Sequence, residues 1–263
     1  MAWKECKVEK PYILEACVDS VESAQAAARG GADRLELCAN LVIGGTTPTL
    51  PLFHAVREAS GLPINVLIRP RFGDFLYTAA ERAVMCREIE TFAAQGANAV
   101  VIGALRSDGT LDRAAMGEMI AAAGGIRITL HRAFDVCRDP IEALETALEL
   151  GVDTILTSGQ AADAWAGRET IGELLRRMGD RGDLLIGGGV SAGTIRELRA
   201  LYPAARCFHL SGKKVLDSGM IYRNPAVSMG LPGISEFQVW RTDEEAIRSA
   251  ALALRGEDRH GGV

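Results

Sequence analysis

The sequence predicts a (βα)8 barrel of the TIM type, an α/β fold in which eight parallel strands close into a ring inside eight helices. Three observations favour this fold. The 263 residues, 48% of them hydrophobic, match the usual size of such a barrel, about 250 residues in one domain. Eight short apolar runs alternate with eight longer helical patterns. No linker or change in composition divides the chain, so we expect one domain over residues 1–263, with the barrel core at about 11–255.

The apolar runs predict the strands, because short aliphatic runs between turn residues are typical of buried strands. The predicted strands are 12–18, 34–39, 64–70, 99–105, 127–134, 154–159, 184–190 and 207–212. The segments between them repeat apolar residues with helical spacing. The predicted helices are 20–30, 50–60, 78–95, 111–123, 140–150, 168–179, 192–201 and 243–255. A doubly wound open sheet is the alternative, but it usually has fewer and less even βα units.

One segment, 213–242, interrupts this alternation between the last predicted strand and the last helix. Compact domains rarely keep so long a loop without a function or an interface. Residues 236–240 are predicted to form a short extra strand. The segment also contains six apolar residues: Met220, Ile221, Tyr222, Val227, Met229 and Leu231. They are too apolar for a solvated connection, so we expect the segment to contact a second subunit of a homo-oligomer, a dimer or a tetramer.

The charge of the chain disfavours two classes of partner. It has 29 Lys and Arg against 34 Asp and Glu, a formal net charge of −5, and no basic run. We therefore expect no nucleic-acid partner and no membrane partner. The sequence has no stretch of about 18 apolar residues and no apolar secretory segment. These features predict a cytoplasmic protein whose six cysteines are reduced.

Alternation along the strands predicts which side chains face the barrel interior. In the first two strands the aliphatic residues take the helix-facing positions, so both strands turn a Glu-x-Cys pair inward: Glu15 with Cys17, and Glu36 with Cys38. The third, fifth and eighth strands add Asn65, Arg69, Arg71, Thr129, His131, His209 and Ser211. Barrel interiors are normally aliphatic. This polar set therefore predicts a pocket at the C-terminal mouth of the barrel.

Two interpretations of these charged residues are open. In the first they form a structural ion-pair layer, with Glu15 and Glu36 neutralised by Arg69 and hydrogen-bonded to His131. In the second they form a functional pocket. Burying several charges is seldom the cheapest way to stabilise a core, so we favour the pocket.

The paired cysteines predict a metal site. Neighbouring strands lie about 4.8 Å apart, so two inward thiols at matching positions can reach one ion. Thiolate pairs prefer soft metals, above all Cu(I) and then Zn. The alternative is that Cys17 and Cys38 are small core residues, which is common for free cysteine.

A glycine turn, 187–189, follows the seventh strand and leads into a helix. Barrels that bind phosphate use such a turn together with a helix N-terminus, although glycines at a strand end also serve close packing. The turn matches neither the dinucleotide-binding fingerprint nor a P-loop. The sequence therefore gives no support for a nicotinamide or nucleotide cofactor.

Several ordered motifs together make the chain recognisable. They are CVDSVESA at 17–24, GGADRLELC at 30–38, GGTTP at 44–48, IRPR at 68–71 with GDF at 73–75, HRAFD at 131–135, LTSG at 156–159, GGGV at 187–190, FHLS at 208–211 and DSGM at 217–220. They closely resemble the copper homeostasis protein CutC family over almost the whole chain. The resemblance implies a cytosolic (βα)8 barrel, usually oligomeric, that is linked to copper tolerance and binds Cu(I) through Cys17 and Cys38.

Two functions are therefore expected from the sequence. The first is copper homeostasis, with Cu(I) held by Cys17 and Cys38 and with His131 or His209 as a third ligand. The alternative is an enzyme acting on a small anionic or polyol substrate, with Glu15 or Glu36 as general base and His131 as general acid. Its predicted substrate-binding residues are Arg69, Arg71, Asp135, Gly188, Gly189, His209 and Ser211. The expected partner is accordingly a copper ion or a small anionic ligand.

Overall fold

A computed structural model describes residues 11–224, 226–227 and 233–256. In it eight parallel strands form a closed barrel in sequence order, and the eighth pairs with the first. The strands are β1 Ile13–Val18, β2 Arg34–Leu37, β3 Ile64–Leu67, β4 Ala99–Ile102, β5 Arg127–Leu130, β6 Thr154–Thr157, β7 Asp183–Ile186 and β8 Cys207–Leu210. Every predicted strand is present and begins within one residue of its predicted start. The predicted fold class, a single-domain (βα)8 barrel, is confirmed, whereas the limits 11 and 255 stay a prediction.

Eight helices alternate with these strands, as predicted. They are α1 Val21–Gly30, α2 Leu50–Ser60, α3 Ala79–Ala94, α4 Arg113–Ala122, α5 Pro140–Glu149, α6 Arg168–Met178, α7 Ala192–Leu201 and α8 Glu244–Arg255. Side chains cap the N-termini of all of these but α6; Ser20, for example, accepts a hydrogen bond from the Ser23 amide at the start of α1. Such caps satisfy amide groups that have no partner within the helix. No helix in the described ranges is long and apolar enough to cross a bilayer.

The main hydrophobic core lies between the barrel and the helices. Helix-facing strand residues such as Leu14, Leu35 and Phe208 are fully buried there. The other face of the strands points to the barrel axis and buries polar side chains, among them Glu15 and Asn65. The alternation predicted from the sequence is therefore present, and it places the polar residues inside the barrel.

The segment after β8 is more regular than predicted. Its first five residues form β9 Lys213–Asp217, which pairs antiparallel with β10 Gln238–Thr242. The extra strand expected at 236–240 is thus present two residues later in the chain. β9 was not predicted, because all five of its side chains are exposed and its sequence shows no buried face.

The connection between β9 and β10 exposes apolar side chains. Met220, Ile221 and Tyr222 have 58%, 100% and 75% of their surface accessible, and Val227 is also exposed. The predicted apolar residues Met229 and Leu231 lie outside the described residues. An exposed apolar patch of this kind is typical of an interaction surface.

Candidate metal and ligand site

A cavity of about 860 Å³ opens at the C-terminal mouth of the barrel. Eight of the predicted site residues line it: Cys17, Glu36, Arg69, His131, Gly188, Gly189, His209 and Ser211. The cavity is within the usual range for small-molecule sites, about 300–1,000 Å³, and is far larger than a single ion requires. A pocket is therefore present at this end of the barrel, but Glu15 and Cys38, two of the predicted site residues, do not line it.

Glu15 is fully buried inside the barrel and is held from three sides. Its carboxylate accepts hydrogen bonds from Arg34 Nε (2.5 Å) and Asn65 Nδ2 (2.8 Å), and it lies 2.8 Å from His209 Nδ1. Burial alone would raise the pKa of Glu15, but the Arg34 guanidinium and His209 outweigh it and hold the pKa at about 2. Glu15 is therefore an ionised anchor within the barrel.

This geometry corrects the ion pairing predicted for the interior. In the interpretation as a structural ion-pair layer, Arg69 neutralises Glu15 and Glu36, but Arg34 is the counter-charge of Glu15 and makes the ion pair. The hydrogen bond from His131 that the same interpretation required is also absent among the described residues, because His209 occupies that place. A sequence signal for Arg34 existed, since it alternates with Glu36 and Cys38 on the inward face of β2.

His209 is oriented by its contact with Glu15. Its Nδ1 is 2.8 Å from Glu15 Oε1, which leaves its Nε2 on the side of Glu36, whose Oε2 is 3.8 Å away. Burial lowers the pKa of His209, but the carboxylates of Glu36 and Glu15 outweigh this and raise it. A carboxylate on one ring nitrogen is how metal-binding histidines are usually oriented, because it fixes the tautomer and directs the other nitrogen at the metal.

Cys17 and Cys38 meet across the pair formed by β1 and β2. The register places Cys17 opposite Glu36, and the Cys38 amide donates to the Val18 carbonyl just beyond the paired strands. The two sulfurs are 3.9 Å apart, and the Cys17 thiol donates to Glu36 Oε2 at 3.1 Å. The interaction with Cys38, burial and the nearby Glu36 all raise the pKa of Cys17.

Three potential ligand groups therefore converge at this point. Cys17 Sγ, a Glu36 carboxylate oxygen and a His209 ring nitrogen lie within 4.8 Å of one another, and no other such group is found among the residues described. Burial and the neighbouring Glu15 carboxylate raise the pKa of Glu36. A thiol, an imidazole and a carboxylate in one place form a donor set suited to Zn and Cu ions.

Arg69 lies elsewhere in the mouth and binds backbone rather than carboxylates. Its Nη1 donates to the carbonyls of Gly45 (3.0 Å), Gly44 (3.3 Å) and Ile43 (3.5 Å), and its Nη2 to that of Gly73 (2.9 Å). Residues 43–45 pass close over Cys38, because a Cβ on Gly45 would come within 3.2 Å of the Cys38 Cβ. Arg69 therefore holds in place the loop beside the cysteine pair.

His131 follows β5 and is buried. Its Nδ1 accepts a hydrogen bond from the Ala133 amide (3.1 Å), whereas its Nε2 has no partner. Burial, with a further contribution from the Arg69 charge, lowers its pKa to about 3. The imidazole is thus neutral near pH 7, and His131 is not part of the group formed by Cys17, Glu36 and His209.

The sequence and the fold were compared with known proteins. Residues 12–214 match the model of the CutC family. The chain belongs to the CutC family. A CutC family protein of Bacteroides fragilis is 45% identical over 231 residues, which cover 87% of this chain and 92% of the relative. The human copper homeostasis protein cutC homolog is 41% identical over 90% of this chain and 87% of its own length. A crystal structure of CutC from Streptococcus agalactiae covers 76% of this chain and 98% of its own, with a TM-score of 0.72 and 26% identity.

Two predicted substrate-binding residues of this CutC family member lie outside the cavity lining. Arg71 is half-exposed and pairs with Glu81 (2.5 Å) in the first turn of α3 and with Asp74 (3.1 Å) in the loop before it. Asp135 accepts hydrogen bonds from Thr157, Ser158 and Arg132. Arg71 and Asp135 therefore stabilise loops around the mouth of the barrel.

The glycine turn of this CutC barrel has a packing role that the sequence left open. Gly188 and Gly189 have φ of 89° and 67°, which favours glycine. A Cβ on Gly188 would come within 2.9 Å of the Ser158 side chain. The turn leads to Ser191, which caps α7 and also lines the cavity.

Two cationic residues of the CutC mouth were not predicted. Arg132 and Lys213 both line the cavity. Arg132 directly follows His131 in the recognised motif at 131–135, and Lys213 begins the unpredicted β9. The only sequence signal for Arg132 was its place in that motif, and the sequence contained no signal for Lys213.

Proposed function

We propose that this chain handles copper and binds it as Cu(I) through the sulfurs of Cys17 and Cys38, with His209 as a third ligand. The relatives support the copper assignment, since those from human and mouse are named copper homeostasis protein cutC homologs. The observation that supports the site is the 3.9 Å contact between the two sulfurs, of which that of Cys17 lies beside a histidine already oriented by a carboxylate. We further propose that the protein works in the cytoplasm.

The separation of the sulfurs fits one shared ion. Two metal–sulfur bonds of about 2.3 Å each span at most about 4.6 Å, and the sulfurs of Cys17 and Cys38 are 3.9 Å apart. At that distance the two bonds are bent rather than collinear, which leaves one side of the ion open to a third ligand. A ring nitrogen of His209 lies within 4.8 Å of the Cys17 sulfur and of a Glu36 carboxylate oxygen. Two soft sulfurs favour Cu(I), with Zn as the next choice.

The buried partners of His209 support this assignment. The Glu15 carboxylate contacts Nδ1 of the His209 ring, and Arg34 and Asn65 donate hydrogen bonds to that carboxylate. A ligand fixed in this way needs little reorganisation when the ion arrives. Partners of this kind typically change metal affinity by about 10–100-fold when they are removed.

The test is retention of Cu(I) under reducing conditions against a competing chelator. The wild-type protein should retain one copper per chain. Cys17→Ser and Cys38→Ser should each abolish retention, because loss of either sulfur removes a soft ligand. His209→Gln should weaken retention without abolishing it.

Cys86→Ser is the matched control, because Cys86 lies on α3, is partly buried and does not line the cavity. It should retain copper as the wild type does. Stoichiometric Cu(I) in a Cys17→Ser, Cys38→Ser double variant would show that the copper site lies elsewhere.

A further inference from the structure

We propose that the barrel mouth contains a second site, built by Arg69 and His131, that binds a carboxylate or phosphate group of a small organic molecule. The two anchoring donors are Arg69 Nε and His131 Nε2. This site shares no residue with the proposed copper ligands.

The first observation is a buried guanidinium without a carboxylate partner. Arg69 is only 8% exposed, and its four hydrogen bonds all go to backbone carbonyls. Its Nε is buried and has no hydrogen-bond partner in the described part of the chain. A buried charge that lacks a counter-ion is costly, and an anionic ligand would supply both the missing acceptor and the missing charge.

The second observation is the tautomer of His131. Because Nδ1 accepts from the Ala133 amide, the proton of the neutral ring must be on Nε2. Its lowered pKa, about 3, keeps the ring in this neutral state near pH 7. That Nε2–H is buried and has no partner among the described residues. It is therefore a second fixed donor that requires an acceptor from outside the chain.

The two donors belong to one part of the mouth. The Arg69 guanidinium carbon lies 5.2 Å from the centre of the Phe75 ring, and the His131 ring centre lies 4.8 Å from it. All three side chains line the same cavity. Phe75 thus lies beside both donor side chains and adds an apolar wall against which the body of an organic ligand can pack.

The charge and size of the cavity favour an organic anion. Three cationic side chains, those of Arg69, Arg132 and Lys213, line the described part of it against one carboxylate, that of Glu36, although the whole chain has a net charge of −5. A cleft with this balance attracts anions. Its volume of about 860 Å³ leaves room for a small molecule beside the proposed copper ligands.

The experiment is an NMR titration of the copper-free, reduced protein with sodium phosphate and, separately, with sodium succinate, at constant ionic strength set by sodium chloride. We expect the Arg69 Nε–H and His131 Nε2–H resonances to shift saturably with at least one probe. A shift with phosphate alone assigns a phosphorylated ligand, and a shift with succinate alone assigns a carboxylate. If neither resonance shifts with either probe at millimolar concentrations, the proposal is wrong.

Two variants test the donors individually. His131→Asn keeps a side-chain acceptor for the Ala133 amide but removes the Nε2 donor. Arg69→Lys keeps the charge but removes Nε, together with the Nη donors to the backbone carbonyls. Each should weaken binding about tenfold or more, as expected for a charge-assisted hydrogen bond. His54→Asn and Arg57→Lys are the controls, since these residues contact each other outside the cavity. Equal affinity in all four variants would overturn the proposal.

The outcome is distinguishable from that of the copper experiment. Cys17→Ser should bind the oxyanion probe as the wild type does, and His131→Asn should retain Cu(I). A protein that retains no copper but shows both resonance shifts would refute the copper proposal alone.

Discussion

Replacing Arg34 with Met should destabilise the barrel strongly near neutral pH. Arg34 Nε lies 2.5 Å from Glu15 Oε2, and their side chains are 7% and 0% exposed. Removing one partner of a buried ion pair typically costs about 3–5 kcal/mol, because the other charge is left without compensation. The net shift of the Glu15 pKa, to which Arg34 and His209 both contribute, is of similar magnitude. A change from 4.5 to about 2 corresponds to about 3 kcal/mol at about 1.4 kcal/mol per pKa unit.

The pH dependence has a definite sign. The pKa of Glu15 is lowered in the folded state, so its contribution to stability is fully present above about pH 4.5 and is lost as the pH falls towards 2. The loss caused by Arg34→Met should therefore be largest near pH 7 and should shrink below pH 4.5. At low pH the protonated Glu15 of the variant no longer needs a counter-charge.

Guanidinium chloride unfolding measured between pH 3 and pH 7 tests this reasoning. A loss of 3–5 kcal/mol is a large part of the total stability of a typical domain, about 5–15 kcal/mol. The double variant Arg34→Met, Glu15→Gln should recover much of it, since the buried charge that had lost its partner is removed as well. A loss below about 1 kcal/mol, or a loss that does not change with pH, would refute the assignment of Arg34 as the counter-charge of Glu15.

Three further predictions follow from other parts of the molecule. Gly30→Ala should lower stability by about 1–3 kcal/mol in thermal unfolding, because its Cβ would come within 2.7 Å of the Ile247 side chain. The control is Gly117→Ala, which lies in open space on α4 and should instead stabilise the protein by up to about 1 kcal/mol. Equal effects of the two substitutions would contradict the packing argument. Light scattering should show that the wild-type protein is an oligomer and that Ile221→Asp dissociates it, since the Ile221 side chain is fully exposed and apolar. A wild-type protein that is monomeric at every concentration would exclude a subunit interface at this segment. The ring of His131, whose pKa is lowered to about 3, should stay neutral down to about pH 4 in an NMR titration, and protonation near pH 6 would show that it is not buried as described.

The fold and the direction of the strand side chains were predictable because both depend on local patterns. Eight apolar runs at even spacing allow few arrangements other than a closed barrel, and alternation along a strand follows from backbone geometry alone. For this reason the inward positions of Glu15, Cys17, Glu36 and His209 were predicted from the order of residues. The exposed strand β9 has no such pattern, and so it was missed.

The partners of these side chains could not be predicted in the same way. Alternation shows that Arg34, Arg69 and His131 are on the same side of the sheet as Glu15, but it does not show how far each side chain reaches. Glu15 pairs with Arg34 because the register of β1 and β2 places these two residues opposite each other. Arg69 lies just after β3, where the loop carbonyls of residues 43–45 take its donors.

The barrel, the polar mouth and the membership of the CutC family can be inferred from the sequence alone, because each follows from periodicity or from ordered motifs along the chain. The three-dimensional arrangement is needed to show which charges neutralise each other and which donors lack partners among the described residues. It separates His209, oriented by Glu15 beside Cys17, from His131, whose Nε2–H has no partner in the described chain. The physical reason is that hydrogen bonds and ion pairs act over about 3 Å, a distance that depends on the register of neighbouring strands and on the path of the loops.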